Sequence, residues 1–424
     1  MRNLFFLILC FLWAGIANAQ QNVGFRKGNI QSPEINPDHS VTFRLQADKA
    51  KQVLVVGDWE ANEGKGEMKK NKAGVWEYTT PVLPSEMYTY RFSIDGVVDL
   101  DPVNPFTKRD VGNIFSVFFV DGGYADQYQV KDVPHGDMIT TWYHSNRLQA
   151  DRRLSVYLPP FYGKENKSYP VFYLLHGSGG DETAWVELGN VARIMDNLIA
   201  EGKAEPMIVV MPNGNSGKQA APGETAENHA YKPVMTNQLP GYKNGDYELA
   251  FPEIVQFIDT KYRTIPDKAH RAIAGLSMGG FHTLYTSINY PTYFDYIGLF
   301  SAGLNMTTVD QTLPAYRDLE GKLKGLKQTG YKLFWLAIGN TDFLYEANQT
   351  FRKQMEAVDF KYVYHESTRG HIWANWRQYL LLFAPQLFKY VLVVSFRKAI
   401  IPCAAISSPH PVRHSAYAYQ RVAQ

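Results

Sequence analysis

Cysteine is scarce in this sequence, with only Cys10 and Cys403 among 424 residues. Cys10 lies in an N-terminal segment that we expect to be removed, so the mature chain would keep one thiol and no intramolecular disulfide. Pairs of His or Cys at the spacing of zinc ligands are also missing, so the sequence predicts neither a metal site nor a cofactor. Stability must therefore come from ordinary hydrophobic cores, and this length suffices for two or three domains.

A charge excess of either sign is also lacking, since 43 Lys and Arg residues face 41 Asp and Glu residues for a net charge of +2. Without a basic surplus to neutralise phosphates, nucleic acid is not expected as a partner. Beyond the N-terminus no stretch is long and apolar enough for a clear membrane helix, so stable membrane insertion is not expected. The composition is that of a globular chain, and it leaves the oligomeric state open.

Residues 1–19 have the pattern of an export signal. Arg2 supplies a positive start, residues 4–13 form an apolar core too short to span a bilayer, and Ala19 ends a small-residue cleavage pattern. Leu9 is too large for the usual lipoprotein-processing pattern, which disfavours a lipid anchor at the following cysteine. We expect cleavage near Ala19 and an exported chain, either periplasmic or secreted.

Residues 20–122 carry strand signals and almost no helix signal. Polar and apolar residues alternate at 41–46, 74–80 and 87–93, with turn residues between them. This pattern predicts a small antiparallel β-sandwich. Trp59 and Trp76 are candidates for stacking on a sugar or for the core; the strand neighbours of Trp76 favour the core, and Trp59 stays open.

Residues 137–391 alternate between apolar runs and helical stretches, which predicts a mostly parallel sheet flanked by helices. The predicted strands are 142–145, 152–158, 171–175, 207–211, 272–274, 296–301, 333–338 and 361–365, and the predicted helices are 184–201, 251–262, 281–290, 342–356 and 375–387. The turn-rich segment 123–136 is the expected linker. The basic tail 392–424, which has no acidic residue, receives no role.

The pattern G-x-S-x-G at residues 275–279 is the strongest chemical signal in the chain. An apolar run precedes it and a helical stretch follows it, which is typical of a sharp strand-to-helix turn with a nucleophilic serine at its apex. The glycines leave room for the close approach of strand and helix, and the helix N-terminus favours developing negative charge. Ser277 is therefore the predicted nucleophile.

A serine hydroxyl needs a histidine to take its proton and a carboxylate to orient that histidine. In α/β-hydrolases these partners follow the serine in the order acid, then histidine, on loops after later strands. Asp342 and His371 occupy such positions. Glu346 and Glu366 are rival acids, and His365 is a rival histidine that falls within a strand pattern.

The reaction also needs two donors for the tetrahedral oxyanion. The Met278 N–H at the start of the elbow helix is one candidate, and the Ser178 N–H in the loop after the early strand is the other. His282 lies five residues past the nucleophile and is expected to line the pocket or to pack beneath it.

The long loop 213–245 follows the carboxyl end of a strand and is rich in Gly, Pro and Asn. Loops of this length in compact domains are usually functional lids or disordered inserts, and ligands of open α/β sheets bind at this edge. Tyr231 and Tyr242 in the loop, together with Trp373, are therefore expected to frame the acyl pocket and contact substrate.

Four segments, 176–185, 275–280, 339–342 and 370–377, resemble the esterase D-like carbohydrate esterases, which include feruloyl esterases and some acetylxylan esterases. The front segment resembles the immunoglobulin-like modules related to glycogen-binding modules. The resemblance implies an α/β-hydrolase preceded by a small immunoglobulin-like sandwich. It also implies release of an acyl group, feruloyl first, from ester-decorated plant polysaccharide or oligosaccharide such as xylan.

Other functions remain open at this stage. An acetylxylan or general carboxylesterase would use the same catalytic residues on another acyl group. An enterochelin-type siderophore esterase couples a front sandwich to the same kind of hydrolase. Such an enzyme would require a cationic pocket for the catecholate, and loop 213–245 contains only three lysines. A carbohydrate-binding protein with a degenerate hydrolase domain is disfavoured by the intact set of Ser277, Asp342 and His371.

Overall fold

The computed structural model describes residues 30–110, 112–225, 243–304 and 309–389. The chain up to Phe388 forms one compact unit, and a second unit begins at Lys389. The expected signal segment and the tail 392–424 lie outside the described residues. None of the described helices is both long and apolar enough to cross a membrane.

The first part of the described chain is a sandwich of two antiparallel sheets, as the alternating pattern predicted. One sheet has the strand order β1-β2-β6-β5, and the other has the order β4-β3-β7-β10-β9 with β8 paired to β7. The strands are Glu34–Ile35 (β1), Val41–Gln46 (β2), Val53–Gly57 (β3), Lys65–Glu67 (β4), Lys69–Lys70 (β5), Val75–Thr79 (β6), Glu86–Ile94 (β7), Val97–Asp99 (β8), Thr107–Asp110 (β9) and Asn113–Val120 (β10).

Both candidate sugar-stacking tryptophans belong to the sandwich core. Trp76 is 7% exposed and donates its indole N–H to the Ala47 carbonyl at 2.9 Å, which confirms the core interpretation of that residue. Trp59 is 3% exposed and stacks on Phe43 at 5.6 Å. Neither ring is available to a sugar at the surface of the sandwich.

The segment between the two domains is packed against the second of them. It contains a short 3-10 helix, Gly123–Gln127, and the buried Tyr128. The Asn197 amide donates to the Gln127 and Gln129 carbonyls, each at 3.0 Å. These contacts hold the sandwich and the α/β domain in one compact unit.

The second part of the chain is built on an eight-stranded sheet with the order β11-β12-β14-β13-β15-β16-β17-β18. The β11–β12 and β12–β14 pairs are antiparallel, and all later pairs are parallel. The strands are Asp137–Ser145 (β11), Ala150–Leu158 (β12), Val171–Leu175 (β13), Ile208–Pro212 (β14), Arg271–Leu276 (β15), Tyr296–Phe300 (β16), Leu333–Gly339 (β17) and Val363–Ser367 (β18).

Helices cover both faces of this sheet. They are Ala184–Glu187 (α1), Val191–Ala200 (α2), Asp246–Lys261 (α3), Met278–Asn289 (α4), Leu319–Thr329 (α5), Tyr345–Ala357 (α6) and Trp373–Phe383 (α7), with further 3-10 turns at Lys268–His270 and Ala384–Gln386; another 3-10 turn, Ala61–Gly64, lies in the sandwich. Alternate residues of β13 face opposite cores: Tyr173 packs in one and Phe172 in the other. Burial on both faces explains why this strand reads as a continuous apolar run.

Three helix predictions needed correction. The stretch 184–201 is two helices, because Asn190 takes a left-handed backbone with φ of 48° between α1 and α2. Helix α3 begins five residues before the predicted start and contains Pro252. Helix α5 was not predicted, since Gly321 and Gly325 weaken its helical pattern.

Candidate active site

Ser277 sits at the turn between β15 and α4 with φ of 53° and ψ of −115°. A residue other than glycine at positive φ is strained by about 1–3 kcal/mol, so the surrounding structure must enforce this conformation. The Ser277 N–H donates to the Phe300 carbonyl at 2.9 Å, and the Gly303 N–H donates to the Ser277 carbonyl at 2.9 Å. These bonds tie the elbow to the neighbouring strand β16.

The glycines of the motif are needed because strand and helix come very close. A Cβ atom on Gly275 would lie 2.4 Å from the Gly279 backbone, and one on Gly279 would lie 2.5 Å from the Leu175 carbonyl oxygen. Real Cβ atoms do not approach other atoms so closely. The sequence pattern therefore reflects a steric requirement at this turn.

Asp342 and His371 are brought together by the loops after β17 and β18. His371 Nδ1 lies 2.9 Å from Asp342 Oδ2 and 3.1 Å from Oδ1, and the Asp342 side chain is fully buried. The Leu344 N–H also donates to the carboxylate at 2.9 Å. A buried carboxylate bound to Nδ1 fixes the ring and leaves Nε2 as the nitrogen able to take a proton.

The rival residues occupy other environments. Glu346 is exposed on α6, and Glu366 accepts hydrogen bonds from Tyr345 and Tyr364 at 2.8 and 2.7 Å. His365 stacks on Trp335 at 5.7 Å. Of the candidate acids and histidines, the structure thus pairs only Asp342 with His371.

The link between Ser277 and His371 is open in this conformation. Within the described ranges the Ser277 hydroxyl forms no hydrogen bond to the imidazole, although both residues follow strands of the same sheet. Catalytic hydrogen bonds of this kind commonly tighten only when substrate binds. The roles of the three residues remain predictions from their positions.

The loop after β13 lies directly against the elbow. A Cβ atom on Gly177 would come within 3.3 Å of the Ser277 Cβ, so the backbone passes Ser277 at close range. Ser178 follows this glycine and is exposed. Met278 is the first residue of α4, and the first N–H groups of a helix have no partner within it. Both predicted oxyanion donors therefore flank Ser277.

Two buried histidines lie beneath this region, and sequence reasoning missed the role of the first. His176 accepts the Gly214 N–H at its Nε2, 2.8 Å away, and its Nδ1 lies 2.8 Å from the Gly177 carbonyl. Burial lowers the pKa of His176 to about 4, so the ring is neutral near pH 7. A neutral ring can donate at one nitrogen and accept at the other, which joins the oxyanion loop to the start of loop 213–245.

His282 is completely buried, and its Nδ1 lies 2.8 Å from Glu248. Of the two positions expected for it, the structure gives the one beneath the pocket, out of reach of a substrate. Tyr316 also donates to Glu248 at 3.2 Å. This buried group supports helix α4 from below.

The predicted substrate contacts are described only in part. Tyr231 and Tyr242 lie outside the described residues. Trp373 is the first residue of α7, packs edge-on against Trp185 at 5.3 Å and lies beside Asp110 of the sandwich. The carbonyls of loop 213–245 at Asn213, Asn215, Ser216 and Lys218 accept hydrogen bonds from the buried Arg152.

An aromatic frame surrounds His371. Phe343, 77% exposed, and Trp376 lie 4.6 and 4.9 Å from the imidazole. Beside them a cavity of about 360 Å³ opens between the sandwich and the α/β domain, with His371, Trp373 and Trp376 on one wall. The sandwich wall of this cavity had no signal in the sequence, because it depends on how the two domains pack.

Two family models match this chain. The model described as a putative esterase matches residues 145–388. The model described as the glycogen recognition site of AMP-activated protein kinase matches residues 39–123. The two matches fall on the α/β domain and on the sandwich.

The endo-1,4-beta-xylanase/feruloyl esterase of Xylanibacter ruminicola is 36% identical over 287 residues, which cover 65% of this chain and 36% of that protein. The chain therefore spans little more than a third of the length of this curated relative. Among solved structures, the enterobactin esterase of Shigella flexneri has a TM-score of 0.58 at 18% identity, covering 82% of this chain and 92% of that chain. The ferulic acid esterase of Anaeromyces mucronatus has a TM-score of 0.50 at 20% identity, covering 62% and 95%. These likenesses show the α/β-hydrolase fold.

Proposed function

Because the chain belongs to the putative esterase family, we propose that it is a serine esterase that releases feruloyl groups from ester-decorated xylan. The observation that carries this proposal is the hydrogen bond between His371 Nδ1 and the buried Asp342 carboxylate, on loops of the same sheet in which another strand ends at the strained turn of Ser277. That arrangement suits acyl transfer through a covalent intermediate.

In the proposed reaction His371 Nε2 takes the hydroxyl proton of Ser277 as Oγ attacks the ester carbonyl. The backbone N–H groups of Ser178 and Met278 stabilise the oxyanion of the tetrahedral intermediate. The ester C–O bond then breaks, and the departing sugar oxygen takes the proton from His371. A water molecule, deprotonated by the same histidine, hydrolyses the acyl-enzyme and restores the serine.

The feruloyl specificity rests on two supports. The relative from Xylanibacter ruminicola carries the name of a xylanase and feruloyl esterase, and aromatic rings frame His371 in this chain. Flat rings stabilise a bound aromatic acyl group by stacking, whereas an acetyl group gains little from them.

The test is turnover of four substrates by the purified protein: methyl ferulate, feruloylated arabinoxylan, acetylated xylan and a catecholate siderophore. We expect ferulate from the first two at a kcat/KM well above that for acetate release. Ser277→Ala should abolish ferulate release while the circular dichroism spectrum stays that of the wild type. Higher kcat/KM on acetylated xylan or on the siderophore, or a folded Ser277→Ala variant with wild-type rate, would overturn the proposal.

We also propose that the chain is exported with cleavage near Ala19, because xylan does not enter cells. The mass of the protein recovered from a bacterial host's extracytoplasmic fraction tests this. We expect the mass of a chain that begins at Gln20. A cytoplasmic protein that retains residues 1–19 would overturn this proposal.

A further inference from the structure

The cavity of about 360 Å³ beside His371 is formed by both domains. Strands β3, β7, β8, β9 and β10 of the sandwich provide one wall, and His371 and the first turn of α7 provide the other. Its volume lies in the range of small-molecule sites, roughly 300–1,000 Å³. A cavity that includes the histidine of the acid–base pair is placed to hold part of the reacting molecule.

The position of the cavity indicates which part of the ester it holds. His371 must hand its proton to the departing alcohol, so the alcohol side of the ester lies toward this residue. The predicted oxyanion donors, Ser178 and Met278, which mark the carbonyl, do not line the cavity. The space next to His371 thus lies on the leaving-group side of the scissile bond.

The polar groups of the cavity suit a neutral polyhydroxylated ligand. Asp58 and Asp110 present carboxylates that accept hydrogen bonds from hydroxyl groups. Burial is the main cause that raises the pKa of Asp110, whereas Asp58 is exposed and accepts the Thr89 N–H at 2.8 Å. Two carboxylates and one guanidinium, that of Arg91, line the cavity, and this excess of negative charge disfavours an anionic ligand such as a catecholate.

Trp373 and Trp376 contribute aromatic rings to the cavity. The side chain of Trp376 is 6% exposed and lines the cavity. The indoles of Trp373 and Trp376 also give a sugar ring an apolar surface to lie on.

We propose that this interdomain cavity is the leaving-group subsite, which holds the pentose whose hydroxyl carries the acyl group. The inference rests on the proposed function and adds that the sandwich itself selects the sugar. Hydroxyl groups of the pentose donate to Asp58 and Asp110, and its ring lies on the indoles of Trp373 and Trp376. The sandwich thereby contributes to substrate specificity through the cavity beside His371. The two tryptophans of its core take no part, because both are buried.

Strand β8 offers a matched pair of variants. Val98 lines the cavity, whereas Val97, 69% exposed, does not, since neighbouring strand residues face opposite sides. Val98→Trp should fill the rim of the cavity, and Val97→Trp adds the same ring outside it. Asp58→Asn removes one acceptor charge without changing the shape of the side chain.

The experiment measures kcat/KM for a feruloylated arabino-oligosaccharide and for methyl ferulate, which lacks the sugar. We expect Val98→Trp to lower the ratio of the two constants roughly tenfold or more, mainly through KM for the sugar ester. Asp58→Asn should lower the ratio in the same direction, and Val97→Trp should leave it at the wild-type value. Calorimetry with the unesterified oligosaccharide should show weaker binding to Val98→Trp than to the Val97→Trp control.

The possible outcomes distinguish a failure of this inference from a failure of the proposed function. If wild-type protein releases no ferulate from either substrate, the proposed function fails. If it hydrolyses both but Val98→Trp lowers both constants equally, the cavity holds the acyl group and the subsite inference is wrong. An unchanged ratio in folded Val98→Trp and Asp58→Asn proteins would also overturn it.

Discussion

Arg377 of helix α7 and Glu86 of strand β7 form a buried ion pair across the two domains, with Nη2 2.9 Å from Oε1. The residues are 291 positions apart in the chain, and their side chains are 1% and 6% exposed. Arg377 also donates to the Leu188 and Met87 carbonyls, each at 2.9 Å. This pair fixes the helix that begins two residues after His371 against the wall of the sandwich.

Glu86→Gln should destabilise the whole compact unit, because it leaves the Arg377 charge buried without its partner. The expected loss in the free energy of unfolding is about 3–5 kcal/mol. Urea denaturation followed by tryptophan fluorescence measures it. Glu77→Gln is the control, since its ion pair with Arg44 is half exposed and should be worth less than about 1 kcal/mol. Equal losses in the two variants would contradict the interdomain role of Glu86.

Asp342→Asn should lower kcat on methyl ferulate by about three to four orders of magnitude, because the amide favours the wrong histidine tautomer. Glu346→Gln serves as the control: this carboxylate is exposed and lies one helical turn further on. Steady-state kinetics of the two folded variants decide between them. A large loss in Glu346→Gln alone would reassign the acid.

Gly275→Ala should cost about 3 kcal/mol or more and remove activity, because its methyl group would meet the Gly279 backbone at 2.4 Å. Gly325→Ala in α5 is the matched change, with no atom within 4 Å of the added methyl. It should stabilise the protein by about 0.5–1 kcal/mol. Thermal unfolding of both variants checks the prediction, and a neutral Gly275→Ala would show that the elbow has room to spare.

His176 should make stability depend on pH. The unfolded chain binds a proton at this residue below about pH 6.5, whereas the folded chain does so only below about pH 4. Between these values the unfolded state holds more protons, so stability falls as the pH falls, by about 2 kcal/mol from pH 7 to pH 5. His176→Gln should remove this part of the slope in denaturation series at several pH values. An unaltered slope would mean that another group titrates.

Local patterns were sufficient for much of the fold. The predicted strand 171–175 matches β13, and the other strands of the sheet were found within a few residues of their observed ends. The inner strands β13 to β17 are largely apolar and buried on both faces, a property that neighbouring residues alone express, whereas the edge strands β11 and β18 are partly exposed. Helix α5 was not predicted because its glycines weaken the helical sequence pattern, and tertiary packing stabilises the helix in the folded protein.

The candidate site, like the fold, could be predicted from the sequence only in part. The strand-to-helix turn could be predicted from the sequence because its steric requirement involves five consecutive residues, 275–279. The choice of Asp342 over Glu346 gained its geometric basis only from the structure, in the hydrogen bond to His371. Trp59 was left open by its sequence context, and the stacking on Phe43 placed it in the core.

The sequence by itself determined the strand-to-helix turn at Ser277, the alternation of the α/β sheet and the all-β character of the front domain, since each depends on residues close together in the chain. Only the tertiary structure decided that the sandwich forms a wall of the cavity beside His371 and that Arg377 meets Glu86. Those contacts join residues hundreds of positions apart. No local pattern encodes them, because they arise from the packing of two finished domains.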